Sequence, residues 1–426
     1  MRLDYGKEGI EIELDPSWNV TILKPSTQRP FNYPIKKIKE AINNPIGSLS
    51  LRDIIESKSN LKSVCIVTSD ATRPVPSSII LEALIEELCS SGVKDSQILI
   101  LIATGLHRSS RDDELERIVG RKLKNKIKAI DHDATDQNCL KFLGNTSDNI
   151  PIFINKLYYE SDLKIVTGYV EPHFFFGFSG GRKSIAIGIA GKETIQGNHS
   201  AEMIAAKYSR FGVYEENRLH KNAMEITRLA KVDFTVNVCI NENHEIVKIA
   251  AGDFQKAHEK LINYQLKYIF KKIKERYDIV ICGNGGYPLD LNLYQAVKSM
   301  AIGEMAVKKG GTIIAVNECA DGIGLGQNEF KDLIFSGMKP SEIHKKILNK
   351  EIVVPDQWEI QILARILMKA KIFVISKLRE NEIGNIGLKY AKTVEDAVRW
   401  GLRKYGPRAS ILILPNGPQV LPLCKD

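Results

Sequence analysis

The sequence has no long apolar run, no apolar leader and no closely spaced pair of cysteines. Without about 18 consecutive apolar residues, a membrane-spanning helix is not expected. The first residues, MRLDYGKEGIEIELD, are polar and alternating, unlike a secretory signal peptide, so we expect a cytoplasmic protein. The seven cysteines are scattered and several lie in apolar runs, which predicts reduced core thiols and excludes a disulfide framework or a zinc site.

The common nucleotide-binding motifs are also absent. No GxGxxG follows a predicted strand, and GNGGYP (283–288) only approaches it, which disfavours an NAD-dependent dehydrogenase. GFSGGRKS (177–184) has Arg182 where a P-loop needs its second glycine, which disfavours a P-loop NTPase. The net charge is +9, but aromatic and basic residues do not interleave, so we expect no nucleic-acid partner and a small anionic substrate instead.

What the sequence does contain is an alternation of short β-branched runs and amphipathic helices. Its 426 residues, 43% hydrophobic and 26% charged, are typical of a globular protein of two or three domains. Strands are predicted at 62–68, 97–103 and 163–168, and helices at 77–90 and 111–119 follow the first two. This order predicts an α/β fold with a mainly parallel sheet covered by helices.

A second series of the same kind begins near residue 275 and predicts a doubly wound, Rossmann- or flavodoxin-like domain. We therefore expect domains at 1–272 and 273–426, connected by the basic helical segment 255–275. The last strand, about 408–426, can belong to either domain. The predicted elements of the second series are strands at 277–283, 311–317, 371–377 and 410–417 and helices at 292–309, 328–336, 340–349, 356–370 and 394–406.

Polar clusters follow four of the predicted strands directly. In open α/β sheets, ligands bind at the carboxyl ends of the strands, so we predict one convergent site, in the cleft between the two domains. The clusters are TSDATRPVP (68–76), ATGLHRSS (103–110), GYVEPHFFFGFSGGRKS (168–184) and CGNGGYPLDLNLYQAVK (282–298).

Three of the eight histidines, His107, His173 and His199, occupy positions after strands or beside glycines, and these settings together favour a functional role. The other five have polar or helical surroundings and are predicted to be solvated surface residues. They are His132, His220, His244, His258 and His344.

Other side chains in the clusters are suited to anions. Tyr294, Gln295 and Lys298 share one face of a predicted helix, where an amide and an ammonium suit a carboxylate, and Arg73 is a second candidate clamp for a carboxylate or phosphate. Small residues next to Arg182 and Lys183 allow backbone amides to approach an anion closely, and although a flexible turn would also explain them, the dense grouping with Arg182 and Lys183 favours a phosphate. These small residues are Gly177, Ser179, Gly180 and Gly181.

Taken together, these motifs resemble those of the nickel-dependent lactate racemase family. The segments are SDATRPVP, ATGLHR, GYVEPHFFFGFSGGRKSIAIGIAG, GNHS, GYPLDLNLYQAVK, CADGIG and DQWEIQ, and the long EPH to GFSGGRK stretch followed by GNH is the most specific. The resemblance implies a nickel pincer nucleotide, a pyridinium-3-thioamide-5-thiocarboxylic acid mononucleotide with nickel. It further implies Lys183 as the covalent anchor and His199 as the metal ligand, a role that neutral imidazole fills well for Ni(II).

The same resemblance implies a reaction. His107 and His173 would be the acid–base pair, with Asp70, as a residue that binds the cofactor, and with Arg73, Gln295 and Lys298 around them. One histidine would take the hydroxyl proton of lactate while a hydride leaves C2 for the cofactor. The resulting bound pyruvate could rotate before the hydride returns to its other face. Lys298 would hold the carboxylate, and Arg73 would contact either substrate or cofactor.

Several alternatives stay open at this point. Phe176 and Trp358 either wall the methyl side of the pocket or simply pack in the core. The substrate could be another 2-hydroxy acid, although no arginine beyond Arg73 is evident for a second carboxylate, which favours lactate over malate. A non-catalytic carrier of the nickel nucleotide would need neither His107 nor His173. In each case we expect transient contact with the proteins that make the cofactor.

Overall fold

The computed structural model describes residues 1–424 and divides the chain into two compact units. Gln28–Lys267 form the central unit, and Met1–Thr27 together with the chain from Tyr268 onward form the terminal unit. The boundary expected near residue 272 lies close to the observed one. The first 27 residues, which we expected in the N-terminal domain, belong to the same unit as the C-terminal part. The predicted location of the site between the domains stays a prediction.

The strands, in chain order, are β1 (Arg2–Leu3), β2 (Ile10–Glu11), β3 (Asn19–Ile22), β4 (Val64–Ser69), β5 (Ile98–Ala103), β6 (Lys128–Asp131), β7 (Leu140–Asn145), β8 (Pro151–Asn155), β9 (Leu163–Tyr169), β10 (Pro172–His173), β11 (Gly177–Phe178), β12 (Phe234–Ile240), β13 (Ile246–Gly252), β14 (Phe270–Ile273), β15 (Tyr277–Gly283), β16 (Val307–Val316), β17 (Lys371–Ile375), β18 (Lys389–Tyr390), β19 (Ser410–Leu414) and β20 (Leu421–Cys424).

The helices are α1 (Pro34–Asn43), α2 (Leu51–Ser57), α3 (Ser77–Ser90), α4 (Asp112–Val119), α5 (Arg121–Lys124), α6 (Lys156–Glu160), α7 (Lys183–Ala186), α8 (Lys192–Asn198), α9 (Ala201–Ala205), α10 (Arg218–Ala230), α11 (Phe254–Tyr268), α12 (Leu293–Ala306), α13 (Asn328–Ile334), α14 (Pro340–Leu348), α15 (Gln357–Lys369) and α16 (Val394–Tyr405). Over residues 1–424, none of them combines the length and apolarity needed to cross a bilayer.

The central unit is built on a six-stranded sheet in the order β13-β12-β9-β4-β5-β6, in which β13 runs antiparallel to the five other strands. β4 and β9 are buried almost throughout, as expected for β-branched strands covered on both faces. From β4 the chain proceeds to β5 and β6, and then to β9 and β12 on the other side. The gap between β4 and β9 is therefore a topological switch point, where such sheets bind ligands.

The terminal unit contains a second six-stranded sheet, entirely parallel, in the order β18-β17-β16-β15-β19-β3. The chain runs outward from β15 through β16 and β17 and returns to β19 on the other side of β15, which confirms the predicted doubly wound α/β fold. The edge strand β3 pairs with β19, and this pairing places the first 27 residues in this unit. β20 pairs with β14, so the last strands also stay here.

The switch point of this second sheet is filled by the N-terminal segment. The Asp4 amide donates to the Pro415 carbonyl at 3.0 Å, and the Gly6 amide donates to the Asp290 carboxylate at 2.7 Å. The Gly6 carbonyl accepts from Tyr287 at 2.8 Å. A dinucleotide would need this crevice, beside the GNGGYP sequence, to be open. The contacts therefore give a structural reason, besides the imperfect motif, to disfavour a dehydrogenase.

Strongly periodic elements match their predictions, whereas partly polar ones do not. The predicted helix 77–90 and strand 277–283 are confirmed residue for residue. The segment 255–275, expected as a connection, contains α11, whose inner face packs into the central unit. β12, β13 and α10 were not predicted from the sequence. β12 reads FTVNVCI and is fully buried, because its threonine and asparagine find hydrogen-bond partners within the fold.

Candidate functional site

The carboxyl ends of three adjacent strands carry the polar groups of the central unit. Asp70 and Arg73 follow β4, His107 follows β5, and His173 follows β9. Because β9, β4 and β5 are parallel neighbours, these residues leave the sheet at the same edge, beside the switch point. Three of the four predicted polar clusters thus share one edge of one sheet.

His107 is oriented by a buried carboxylate. Its Nδ1 lies 2.8 Å from Asp70 Oδ2, and the Thr72 hydroxyl donates to Asp70 Oδ1 at 2.8 Å. Burial raises the pKa of Asp70, but the hydrogen bonds from His107 and Thr72 and the charge of Arg73 outweigh it, so this pKa lies below its ordinary value. An anionic Asp70 favours the proton on His107 Nδ1, so Nε2 of the half-exposed ring can accept one. In this structure Asp70, predicted to bind the cofactor, orients a histidine.

The loop that carries His107 is fixed by two further contacts. Arg108, the next residue, forms a bidentate pair with Glu114 at 2.8 and 2.7 Å. Hydrogen bonds from Arg108 and the Arg111 amide lower the pKa of Glu114 to about 2. Ser110 donates to Asp131 through its amide and its hydroxyl, at 2.9 and 2.8 Å. These contacts hold an otherwise exposed loop in one position.

His173 has the opposite hydrogen-bonding arrangement. It lies on the short ribbon β10–β11, where it pairs with Gly177, and the Phe176 amide donates to its Nδ1 at 3.4 Å. A neutral histidine that accepts at Nδ1 carries its proton on Nε2. The contacts of the two predicted acid–base histidines thus favour complementary tautomers. His107 can accept a proton at Nε2, and His173 can donate one there.

Phe176 contacts both the predicted covalent anchor and the predicted metal ligand. Lys183 Nζ lies 4.7 Å from the centroid of the Phe176 ring, and the His199 ring centroid lies 5.8 Å from the same point. Phe175 packs edge-on against His199 at 5.2 Å and against His173 at 4.6 Å. The amine and both imidazoles therefore surround two adjoining aromatic rings, close enough to contact one mononucleotide.

His199 is held as a neutral imidazole. Its side chain is buried after α8, and this burial, together with the charge of Lys183, lowers its pKa to about 3. Neutral imidazole is the form that binds metals. In the described part of the chain, no three His, Cys, Asp or Glu side chains are grouped so that they could hold a metal ion. His199 is thus a neutral imidazole donor buried beside Lys183.

The Gly-rich loop between β11 and α7 owes its glycines to close backbone packing. A Cβ on Gly177, at φ +78°, would lie 1.9 Å from the Val213 carbonyl oxygen, and one on Gly180, at φ +71°, would lie 2.6 Å from that of Tyr169. Neither position tolerates a side chain, because backbone atoms cannot move aside easily.

The amides of this loop are largely bonded within the protein. The Ser179 amide donates to the Glu171 carbonyl at 2.8 Å, and the Gly181 amide donates to Asn237 Oδ1 at 3.2 Å. The Ser179 hydroxyl links the Tyr169 carbonyl and the Glu171 amide. The predicted contact of this loop with a phosphate stays a prediction, and the sequence analysis missed Asn237 as a support of the loop.

Arg182 supports the loop from the inside. Its guanidinium has no exposed surface and donates to the carbonyls of Phe176, Ser179 and Gly180 at 3.1 to 3.4 Å. Burial lowers its pKa to about 9, so it stays cationic at neutral pH. Arg182 faces away from solvent and is bonded to the loop's own carbonyls, and its predicted contact with the cofactor stays a prediction.

Three of the histidines predicted to be solvated are not. His132 and His258 are buried, and most of His220 is covered. His258 Nε2 lies 2.9 Å from the Ser179 carbonyl oxygen and 3.1 Å from Arg182 Nη1, so α11 supports the Gly-rich loop. The surface prediction was wrong because the polar neighbours of these residues face outward while the rings face inward.

We expect these buried histidines to make the protein acid-labile. Burial lowers the pKa of His220 to about 3 and holds that of His258 well below its ordinary value. In the unfolded chain both titrate near pH 6.5. Between about pH 6.5 and pH 3 the unfolded state therefore binds protons that the folded state refuses. The free energy of unfolding should fall on acidification, by about 1.4 kcal/mol per pH unit for each histidine.

Urea unfolding at pH 7, 6 and 5 would measure this slope. His258→Gln should reduce this slope by the contribution of one proton, about 1.4 kcal/mol per pH unit. His244→Asn, at an exposed turn, should leave the slope unchanged. Equal slopes in wild type and His258→Gln would contradict the assignment.

In the terminal unit, α12 and α15 bring the predicted substrate-binding residues together. Gln295 and Lys298 lie on the first turns of α12, and the Lys298 ammonium donates to Gln295 Oε1. The Tyr294 hydroxyl interacts with Trp358 and Asp356 at the start of α15. The amide and ammonium are thus preassembled as a pair suited to a carboxylate.

Sequence reasoning missed one residue of this cluster. Glu359 is buried on the first turn of α15, and burial raises its pKa to about 8, although the nearby Lys298 charge opposes this shift. The motif DQWEIQ contains this residue, but the sequence could not indicate that its carboxyl group lies near Lys298.

Comparison with known proteins shows that the chain belongs to the lactate racemase family. A family profile described as "Lactate racemase N-terminal domain" matches residues 5–212, and one described as "Lactate racemase C-terminal domain" matches residues 272–421. A lactate racemase of Thermoanaerobacterium thermosaccharolyticum is 38% identical over 429 residues, covering 99% of this chain and 98% of that protein. One of Lactiplantibacillus plantarum is 38% identical over 387 residues, covering 90% of each chain.

Comparison with solved structures supports the same family assignment. The lactate racemase apoprotein of T. thermosaccharolyticum superposes with a TM-score of 0.91 at 35% identity, covering 100% of this chain and 99% of that one. A Thermotoga maritima protein, at 21% identity and a TM-score of 0.66, covers 92% of this chain and 98% of its own and shares the fold.

Proposed function

Because the chain belongs to the lactate racemase family, we propose that it is an isomerase that interconverts L- and D-lactate. The observation that carries the proposal is the arrangement at one sheet edge of the central unit. Lys183 and the neutral His199 contact the same aromatic ring, and the contacts of His107 and His173 there favour complementary tautomers. An acid and a base are what inversion of a hydroxy acid requires.

A nickel pincer nucleotide fits these residues as the cofactor. Lys183 would hold it through a thioamide link, and His199 would supply the protein ligand to nickel. When bound, the group supplies a hydride acceptor for C2 of the substrate. Hydride removal is the feasible route because loss of a C2 proton from a carboxylate would create a dianion. The protein's own part is to bind, orient and exchange the hydroxyl proton.

The proton chemistry follows from the two histidines. His107 Nε2 is positioned to take the hydroxyl proton, and Asp70 stabilises the imidazolium that results. His173, with its proton on Nε2, is positioned to return a proton to the keto oxygen after the planar intermediate has turned. In the opposite direction the two exchange roles. Lys298 and Gln295, on α12 of the terminal unit, form a pair suited to bind a carboxylate such as that of lactate.

Two other functions use the same residues. Another 2-hydroxy acid would be accepted if the walls beside Phe176 and Trp358 left room for a longer chain. A carrier of the nickel nucleotide would need Lys183 and His199 alone. The ordered contacts of His107 with Asp70 and of its loop with Asp131 favour an enzyme, because a carrier has no use for an oriented base.

Chiral analysis tests the proposal. Protein co-produced with the nickel-cofactor pathway is incubated with L-lactate, and D-lactate should appear until the two enantiomers are equal. Protein from a host without that pathway should be inactive and is the control. Cofactor-loaded protein that leaves L-lactate unchanged but inverts a longer hydroxy acid would identify the alternative substrate. Inversion of no hydroxy acid would favour the carrier.

A further inference from the structure

A buried carboxyl group that the proposed mechanism does not use lies near Lys298. Glu359 is 2% exposed, on the first turn of α15, and α15 packs against α12, which carries Lys298. Among the hydrogen bonds of residues 1–424, none involves Glu359 Oε2. An unsatisfied buried oxygen destabilises the folded protein, and a buried charge does so more strongly. A buried carboxyl group that destabilises the fold, next to a group proposed to bind substrate, indicates a functional role.

The charged and titratable surroundings of Glu359 are few. From α12, Lys298 and Tyr294 face it, and Asp356 lies at the start of its own helix. His344 of α14 faces Arg365, more than a turn further along α15. The buried part of β16, GTIIAV, has no titratable side chain. α13 has three charged residues, and all three are exposed or half-exposed: Glu329, Lys331 and Asp332.

Lys298 is therefore the cation whose attraction for a second carboxylate depends on the charge of Glu359. When Glu359 is ionised, it and Lys298 form a nearly neutral pair, and a second carboxylate gains little by approaching. When Glu359 is protonated, the Lys298 charge is available to an incoming carboxylate. Because burial raises the pKa of Glu359 to about 8, both states are populated near neutral pH.

We propose that Glu359 is a positioning residue that sets the charge available at Lys298, so that binding of a substrate carboxylate there is coupled to proton uptake by Glu359. This inference rests on the proposed function, since it takes Lys298 as the carboxylate-binding group. It adds a residue and a pH-linked binding step that the acid–base histidines do not require.

The first test is the pH dependence of KM for lactate, measured with holoenzyme. For wild type, KM should rise by up to about tenfold between pH 7 and pH 9, as one group with a pKa near 8 ionises. Glu359→Gln mimics the protonated carboxyl, so the KM of this variant should stay at the wild-type value for pH 7 up to pH 9. The substitution is expected to act on KM rather than on kcat. Glu359→Asp, which keeps the charge, should restore the rise.

The matched control is Glu304→Gln. It breaks the largely buried pair of Glu304 with Arg365, at 2.6 Å, between the same two helices. We expect lower stability but an unchanged pH dependence of KM. A Glu359→Gln enzyme whose KM still rises like that of wild type would overturn the inference.

An infrared measurement separates this inference from the proposed function. At pH 8, adding lactate should increase the protonated-carboxyl signal of wild type but not of Glu359→Gln, whether or not lactate is turned over. An increase without racemisation would support the binding step and reject the activity. Racemisation without the increase would reject the binding step alone.

Discussion

Replacing Lys183 by alanine should abolish racemisation, with a loss of at least about a thousandfold, since the cofactor would lose its covalent attachment and the reaction its hydride acceptor. Lys183 is suited to this attachment because it begins α7 directly after a tightly packed loop and its amine lies over the Phe176 ring. The measurement is D-lactate formation from L-lactate by protein co-produced with the nickel-cofactor pathway, combined with intact mass.

The mass measurement makes this prediction specific. Wild type should carry an adduct, and Lys183→Ala and Lys183→Arg should not, because a guanidinium cannot form the thioamide although it keeps the charge. Lys192→Ala removes an exposed lysine at the start of α8 and should retain both adduct and activity. His199→Ala should keep the adduct but lose nickel. An active Lys183→Arg enzyme, or an adduct mapped to another residue, would show that the anchor lies elsewhere.

Alanine at either His107 or His173 should lower kcat by about 10²–10⁴-fold, the usual contribution of a general acid or base. Both directions of racemisation should fall equally, because each direction needs one histidine as base and the other as acid, and the two enantiomers are equal in energy. Initial rates from L-lactate and from D-lactate would measure this. The cofactor adduct at Lys183 should persist in both variants.

Asp70→Asn tests how the base is oriented. The amide would remove the charge that stabilises imidazolium and could favour the wrong tautomer of His107, so kcat should fall although the ring is present. The exposed His244→Asn is the control and should have wild-type rates. If His107→Ala or His173→Ala turned over lactate at the wild-type rate, the scheme with two histidines would be wrong.

Much of the fold could be read from periodicity. Helix α3 and strand β15 have runs of apolar residues long enough to identify their type and ends. β12 could not be identified, because a buried strand with threonine and asparagine is stable only when distant partners satisfy those side chains. The place of the first 27 residues was equally hidden, since β3 has no buried face of its own and depends on pairing with β19.

For the site, the sequence by itself determined which residues carry chemistry. The motifs with His107, His173, Lys183 and His199 needed no structure to be singled out. Only the tertiary structure decided how these groups are held. It paired Asp70 with His107, turned Arg182 inward, buried His258 beneath the loop and set Glu359 beside Lys298. The reason is physical: a motif records residue types along the chain, whereas hydrogen bonds, burial and the pKa of a group depend on neighbours that only folding brings into contact.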